Sequence, residues 1–383
     1  MRIQYFLVVV LSFITNYTIS QSSIGHTTLN IVDSSRSRTI ITEVYYPSET
    51  VGDDVAVAIG SYPVLVFGHG FAMTWQAYDN FINQLVPQGY IICFPITEMS
   101  LSPNHQDFGL DLKFVATEMQ ALNLNNNSIF YNAIAPKTAL MGHSMGGGAS
   151  FLAAENNTNI QAVVNFAAAE TNPSAIAAAI NVTVPTLLFS GSDDCVTPQD
   201  QNQNLMFSNA ASVCKTLISI NEGIHCYFAN NNFNCEFGEG FCNSSINIDR
   251  ETQQSITFSF LTPWLNYILK DNETDGETFT NALETSASVN YTQTCEELSV
   301  ENIAFNVGIE IFPNPTQGFL NYNIASNISD GIIKIYNVRG ELLNQYSINQ
   351  TRGVLDLKQY DKGIYVLTYT NRFTTYNSKI VKY

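Results

Sequence analysis

A chain of 383 residues with 45% apolar content is long enough for two folded units. Its formal charge of −17 comes with only 13% charged residues, which excludes a charge-rich disordered chain and makes nucleic acid an unfavourable partner. Residues 309–383 hold eight Lys/Arg against five Asp/Glu, so the acidity belongs to the part before them and two modules are expected.

In chain order, residues 1–20 (MRIQYFLVVVLSFITNYTIS) place Arg2 before an apolar run and then small polar residues, the pattern of a secretory signal peptide. Residues 26–46 alternate like two antiparallel strands around the turn DSSRSR. YPVLVFGHGF reads as a buried parallel strand running into Gly68-His69-Gly70-Phe71. Helical spacing over 75–86 is followed by the strand YIICFP, a second amphipathic helix over 108–123, and a strand ending at Ser144 with a small-residue helix after it. Further strands are expected at 160–169, 184–190 and 216–220, with helices at 199–211 and 251–269, the last kinked by Pro263. This alternation predicts an α/β fold over residues 24–270, a mostly parallel sheet flanked by helices. Residues 271–308 are Thr/Asn/Glu-rich and read as a linker. Residues 309–383 change to short alternating strands with turns at PNPTQG, SDG, VRG and DKG, the pattern of a small all-β sandwich.

The stretch TALMGHSMGGGASFL sets a serine in G-x-S-x-G at a strand-to-helix junction, the form of a nucleophile elbow. Ser144 is therefore the candidate nucleophile. Five histidines are available as its base. His26 lies in the N-terminal edge, His69 before a glycine turn, His105 in a polar loop, and His143 is fixed on the elbow itself. His225, in the loop after the last strand, is the candidate base. SGSDDCVTP follows an apolar strand, and Asp194, four residues before Pro198, is chosen over Asp193 as the acid. The order Ser, Asp, His is that of an acyl-transfer triad on an α/β sheet. The N–H groups of Met145 and Phe71 are the candidate oxyanion donors, and Trp75 and Tyr78 are expected to line an apolar cleft. The cysteine spacings contain no C-x-x-C and there is no histidine cluster, so neither a metal nor a cofactor is expected.

The motifs VLVFGHGF, GHSMGGG, VTVPTLLFSGSDDCVTP and GIHCYF resemble the secreted α/β-hydrolases of the chlorophyllase, dienelactone-hydrolase-like and polyester-hydrolase branch. The resemblance implies ester hydrolysis through an acyl-enzyme. It has two departures: dienelactone hydrolases use a Cys nucleophile where this chain has Ser144, and AAAETNPSA stands where polyester hydrolases carry an aromatic. The segments IEIFPNPTQGFLNY, IKIYNVRGEL, GVLDLKQYDKGIYVLTY and KIVKY resemble the C-terminal sorting domain of the type IX secretion system. That resemblance implies the type IX machinery as a partner and export across inner and outer membranes, leaving the protein secreted or attached to the cell surface. The expected function is a secreted serine carboxylic-ester hydrolase acting on lipid-like or polyester substrates. A peptidase or amidase on the same fold, or an inactive surface binding protein, are the alternatives.

Export makes disulfides expected. Cys93, within an apolar strand, reads as a buried thiol. Two pairings suit the rest: Cys195 with Cys214, or Cys195 with Cys226. The first is preferred, with Cys226 bridged to Cys235 or Cys242.

Overall fold

The computed structural model describes residues 22–242, 246–295, 309–324, 331–371 and 375–383. The expected signal peptide, and residues 296–308 of the expected linker, lie outside the described residues. The chain divides into two units, Met1–Glu296 and Glu297–Tyr383.

The first unit begins with β1 (Ser23–Asp33), β2 (Arg38–Ser48), β3 (Gly52–Asp53), β4 (Tyr62–Gly68), α1 (Asp79–Leu85), β5 (Ile91–Pro95), α2 (His105–Leu122), β6 (Ile134–His143) and α3 (Met145–Ala154). It continues with β7 (Ala162–Phe166), α4 (Ala175–Ala179), β8 (Thr186–Gly191), α5 (Gln203–Asn209), β9 (Cys214–Ile220), α6 (Phe233–Glu239), α7 (Arg250–Lys270), α8 (Glu273–Thr285) and β10 (Val289–Cys295). The strands make one sheet in the order β10-β9-β8-β7-β6-β4-β5-β2-β1-β3. Its centre, from β5 to β9, is parallel. β5, β7 and β8 are buried at every position, which is why their sequences are unbroken apolar runs: helices cover both faces. One face packs Phe108, Leu112, Val115, Phe151 and Met206 of α2, α3 and α5, and the other packs Phe81, Phe260, Trp264, Leu265 and Phe279 of α1, α7 and α8.

Side-chain caps start the long helices. Asn104 accepts the Asp107 N–H at α2, Asp249 the Thr252 N–H at α7, and Asn272 the Asp275 N–H at α8, each satisfying a backbone donor that the first turn leaves free. α7 runs continuously through Pro263. The helical stretch expected over 75–86 is divided into a 3-10 turn, Trp75–Tyr78, and α1, before a second 3-10 turn carrying Pro87 and left-handed Gly89 at φ 89°.

The expected linker is corrected in its first half. Residues 273–285 fold as α8 and 289–295 as β10, antiparallel to β9 with Cys295 opposite Cys214. The polar composition misleads because both elements lie at the periphery. α8 buries only Phe279 and Leu283, four residues apart, and β10 buries only Val289.

The second unit contains β11 (Ile309–Phe312), β12 (Phe319–Ile324), β13 (Gly331–Asn337), β14 (Leu342–Ile348), β15 (Arg352–Asp356), β16 (Gly363–Thr370) and β17 (Thr375–Lys382). Two antiparallel sheets, β11-β12-β15 and β14-β13-β16-β17, enclose a core of Leu320, Ile333, Ile335, Leu355, Leu367 and Ile380. Inward residues alternate with outward ones along these strands, so the period-2 pattern of the sequence has its cause here.

Candidate active site

Ser144 stands between the end of β6 and the first residue of α3, at φ 54° and ψ −121°. A left-handed conformation at a residue bearing a side chain is strained and persists only where the surroundings hold it. Here the Ser144 N–H donates to the Phe166 carbonyl at 3.0 Å, and the Ser144 carbonyl accepts from Ala169 N–H at 2.9 Å and Gly148 N–H at 3.1 Å. Two glycines make room for the turn. A Cβ on Gly142 would stand 2.3 Å from the Gly146 carbonyl, and one on Gly146 would stand 2.0 Å from the Gly68 oxygen. Backbone approach at Gly146 thereby presses the loop after β4, which carries Phe71, against the start of α3. Met145 is the first residue of α3, so its N–H has no acceptor within the helix.

Asp194 and His225 meet at the ends of β8 and β9. His225 Nδ1 lies 2.8 Å from Asp194 Oδ2, with both side chains almost fully buried. The other carboxylate oxygen, Oδ1, accepts the N–H groups of Val196 and Thr197, each at 2.8 Å. Thr197 Oγ1 lies 2.8 Å from Asp194 Oδ2 and 3.1 Å from His225 Nδ1. Burial opposes ionisation of Asp194, but the facing His225 and the hydrogen bonds from Thr197 outweigh it and hold the carboxyl below its ordinary range. Asp193 instead accepts from the Ser192 hydroxyl at 2.9 Å. An ionised carboxylate on Nδ1 fixes the ring as the Nδ1–H tautomer and leaves Nε2 free to accept a proton. Among the described residues Ser144 Oγ makes no hydrogen bond to Nε2; such contacts are often long before substrate binds.

His143, excluded as a base by its place on the elbow, has another position. Its Nε2 lies 3.1 Å from the His225 carbonyl, its Nδ1 3.0 Å from the Tyr78 hydroxyl, and the Tyr78 oxygen accepts the Gly70 N–H at 2.8 Å. A carbonyl can only accept, so the His143 proton sits on Nε2 and Tyr78 donates to Nδ1. Burial, with repulsion from His225, pushes His143 down to about 3, so this ring stays neutral. The chain Gly70–Tyr78–His143–His225 links the loop after β4 to the backbone of the candidate base.

Tyr78 is thus corrected as a cleft residue: it is fully buried under that loop. Trp75 is half-buried and donates its Nε1–H to the Tyr45 hydroxyl at 3.0 Å, while Phe71 is 47% exposed. Thr197 and the Tyr78–His143 pair were missed by the sequence reading. Thr197 has a signal, three residues beyond Asp194 in DDCVTP; the pair has none, since Tyr78 and His143 are 65 residues apart and His143 and His225 are 82 apart. A cavity of about 770 Å³ bordered by Asn80, Arg250, Phe258 and Asp275 holds none of the candidate catalytic residues.

Two disulfides tie down the loops that carry the candidate acid and base, Cys195–Cys242 and Cys226–Cys235, and a third, Cys214–Cys295, joins the first residue of β9 to the last of β10. The preferred Cys195–Cys214 pairing is corrected, as is Cys195–Cys226. Cys214 is taken by Cys295 of β10, a strand within the polar stretch 271–308. Cys93 is a free, buried thiol, and burial pushes its ionisation far up.

Compared with known proteins, residues 20–247 match the family described as PET hydrolase-like, and residues 310–383 match the secretion system C-terminal sorting domain. Chlorophyllase-1 of Arabidopsis thaliana is 30% identical over 112 residues, 28% of this chain and 33% of that protein. The chain therefore spans about a third of the length of the curated relative it matches.

Proposed function

This chain belongs to the PET hydrolase-like family, and from that premise we propose that it is a serine hydrolase of carboxylic esters, acting on apolar esters of the lipid-like or polyester kind. The observation that carries the reading is a buried Asp194–His225 pair, with the His225 carbonyl held by His143, the residue preceding a strained Ser144. In the proposed reaction His225 Nε2 takes the Ser144 proton as Oγ attacks the ester carbonyl. Asp194 holds the Nδ1–H tautomer and stabilises the imidazolium. The tetrahedral oxyanion is received by the N–H groups of Met145 and Phe71, and loss of one such donor typically costs about 10²–10³ in kcat. The alcohol leaves with the proton from His225, and water then attacks the acyl-Ser144 ester by the same route.

The sorting domain over 310–383 makes the protein secreted or cell-surface attached. We infer that this unit is its address to the type IX machinery and takes no part in the chemistry, since no candidate catalytic residue lies beyond His225.

A fluorophosphonate should label the protein stoichiometrically at Ser144, and Ser144→Ala should abolish both labelling and turnover of p-nitrophenyl esters. Labelling that survives Ser144→Ala would overturn the assignment. A peptide panel run beside the esters separates ester from amide cleavage.

A further inference from the structure

α6 buries none of its seven residues, yet it begins a row of three phenylalanines four residues apart. Phe233, Phe237 and Phe241 are 78%, 62% and 75% exposed. Their rings form a ladder, with centroids 6.1 Å apart and near-parallel planes for the first pair, and 5.3 Å apart and edge-on for the second. Three neighbouring phenyl rings held in water contribute nothing to a core, and contiguous exposed apolar surface of this kind marks an interaction face.

The ladder is also fixed in place. Cys235 within α6 is bridged to Cys226, the residue after His225, and Cys242 just beyond it is bridged to Cys195, the residue after Asp194. Asn232 caps the helix by accepting from the Asn234 and Cys235 N–H groups. Asn234 Nδ2 donates to the Ala72 carbonyl at 2.6 Å, beside the exposed Phe71 on the candidate oxyanion loop. Arg250 holds Glu236 at 2.6 Å and donates to the Cys226 carbonyl at 2.8 Å. Every tether ends on a residue adjacent to the candidate triad or its oxyanion loop, or on the element that carries them, so the rings keep a set position relative to the chemistry.

From this we propose that the Phe233–Phe237–Phe241 ladder is an attachment face for a water-insoluble, uncharged apolar ester, gripping chain beyond the acyl group held at Ser144. The inference rests on the ester-hydrolase reading. Charge selects the occupant. Residues 226–249 contain Glu236, Glu239 and Asp249 and no Lys or Arg, and Arg250 is already committed to Glu236 and backbone carbonyls. An anionic membrane is repelled by such a surface, whereas an uncharged polymer with aromatic rings meets three faces on which to stack.

The test uses the full chain carrying Ser144→Ala, so that binding is read without turnover. Its adsorption isotherm on amorphous poly(ethylene terephthalate) powder is compared with that of the same protein carrying Phe233→Ser, Phe237→Ser and Phe241→Ser. Weakening by at least about tenfold is expected, the size that partial burial of three phenyl rings supplies. With Ser144 restored, kcat/KM on p-nitrophenyl acetate should be unchanged by the triple substitution, because that substrate is too short to reach the ladder. The rings are exposed, so folding should survive; Phe237→Ser alone provides the check should the triple variant unfold. Unchanged adsorption overturns the proposal. So does an equal fall in p-nitrophenyl acetate turnover, equal ladder-dependent binding to phosphatidylcholine vesicles, or a wild-type dimer in sedimentation that the substitutions dissolve. Failure to turn over any ester would overturn the catalytic reading and leave the adsorption result standing.

Discussion

At Asp194, one carboxylate oxygen takes two amide N–H groups and the other faces His225 and Thr197, an arrangement that only an anion suits. Asp194→Asn should therefore lower kcat by about 10⁴ by favouring the wrong His225 tautomer, while Asp193→Asn leaves it nearly unchanged; reversal of the two would move the acid to Asp193. The same group predicts acid behaviour. Its folded pKa lies below the unfolded value of about 3.9, so its stabilisation is present above that value and is lost as pH falls through the folded one. The stability difference between wild type and Asp194→Asn, read from urea midpoints, should be full at pH 6 and shrink below pH 4. Tyr78→Phe tests the linkage to the loop after β4: it leaves the Gly70 N–H and His143 Nδ1 without their partner, at a cost of about 1–3 kcal/mol in urea unfolding. Ser144, Asp194 and His225 stand out in sequence as candidates because each sits in a short local motif at a strand end, and the structure brings Asp194 and His225 together. Tyr78 and His143 could not be read this way. An aromatic at helical spacing looks the same whether it lines a cleft or lies beneath one, and the difference is set by what packs over it.

Among the elements, those with two buried faces or a regular alternation were legible, β1 and β2 near the sheet edge included, whereas α8 and β10 were not. β4, β5, β7 and β8 declare themselves as apolar runs, and α2 by its spacing. α8 and β10 bury too few residues to leave a pattern, and the disulfide pairing failed with them, since Cys295 becomes a partner only once β10 is in the sheet. The bridges now make an ordered prediction. Cys195–Cys242 spans 47 residues and Cys226–Cys235 spans 9, so chain entropy alone ascribes about 4 and about 2.5 kcal/mol to them. Serine pairs at Cys195/Cys242 should therefore lower Tm more than serine pairs at Cys226/Cys235. Both should reduce esterase activity, because each frees a loop that carries Asp194 or His225. A Tm order opposite to this would place the stabilisation in local packing around α6 instead of the unfolded chain.

For the whole molecule, the boundary between units decides what can be removed. Domains with their own core fold alone, and the first unit has one on each face of its sheet. A chain ending at residue 275, inside the stretch 271–308 that composition reads as a linker, loses Phe279 and Leu283 from the face packed by α7, strips β10 from β9 and leaves Cys214 without Cys295. A chain ending at Glu296 keeps all of these. Both keep Ser144, Asp194, His225, Phe71 and Met145, so the contrast separates chemistry from scaffold. The longer chain should match the full-length protein in kcat/KM on p-nitrophenyl butyrate and in Tm. The shorter one should retain label incorporation at Ser144 when cold yet melt several degrees lower, since truncating buried Leu and Phe side chains alone costs about 2–5 kcal/mol each. Because an exposed β9 edge is a template for pairing with another chain, the shorter protein should also aggregate on warming, read by light scattering during the melt. Loss of activity in the folded 22–296 chain would show that residues after 296 complete the site, and would overturn the assignment of the sorting domain to export alone.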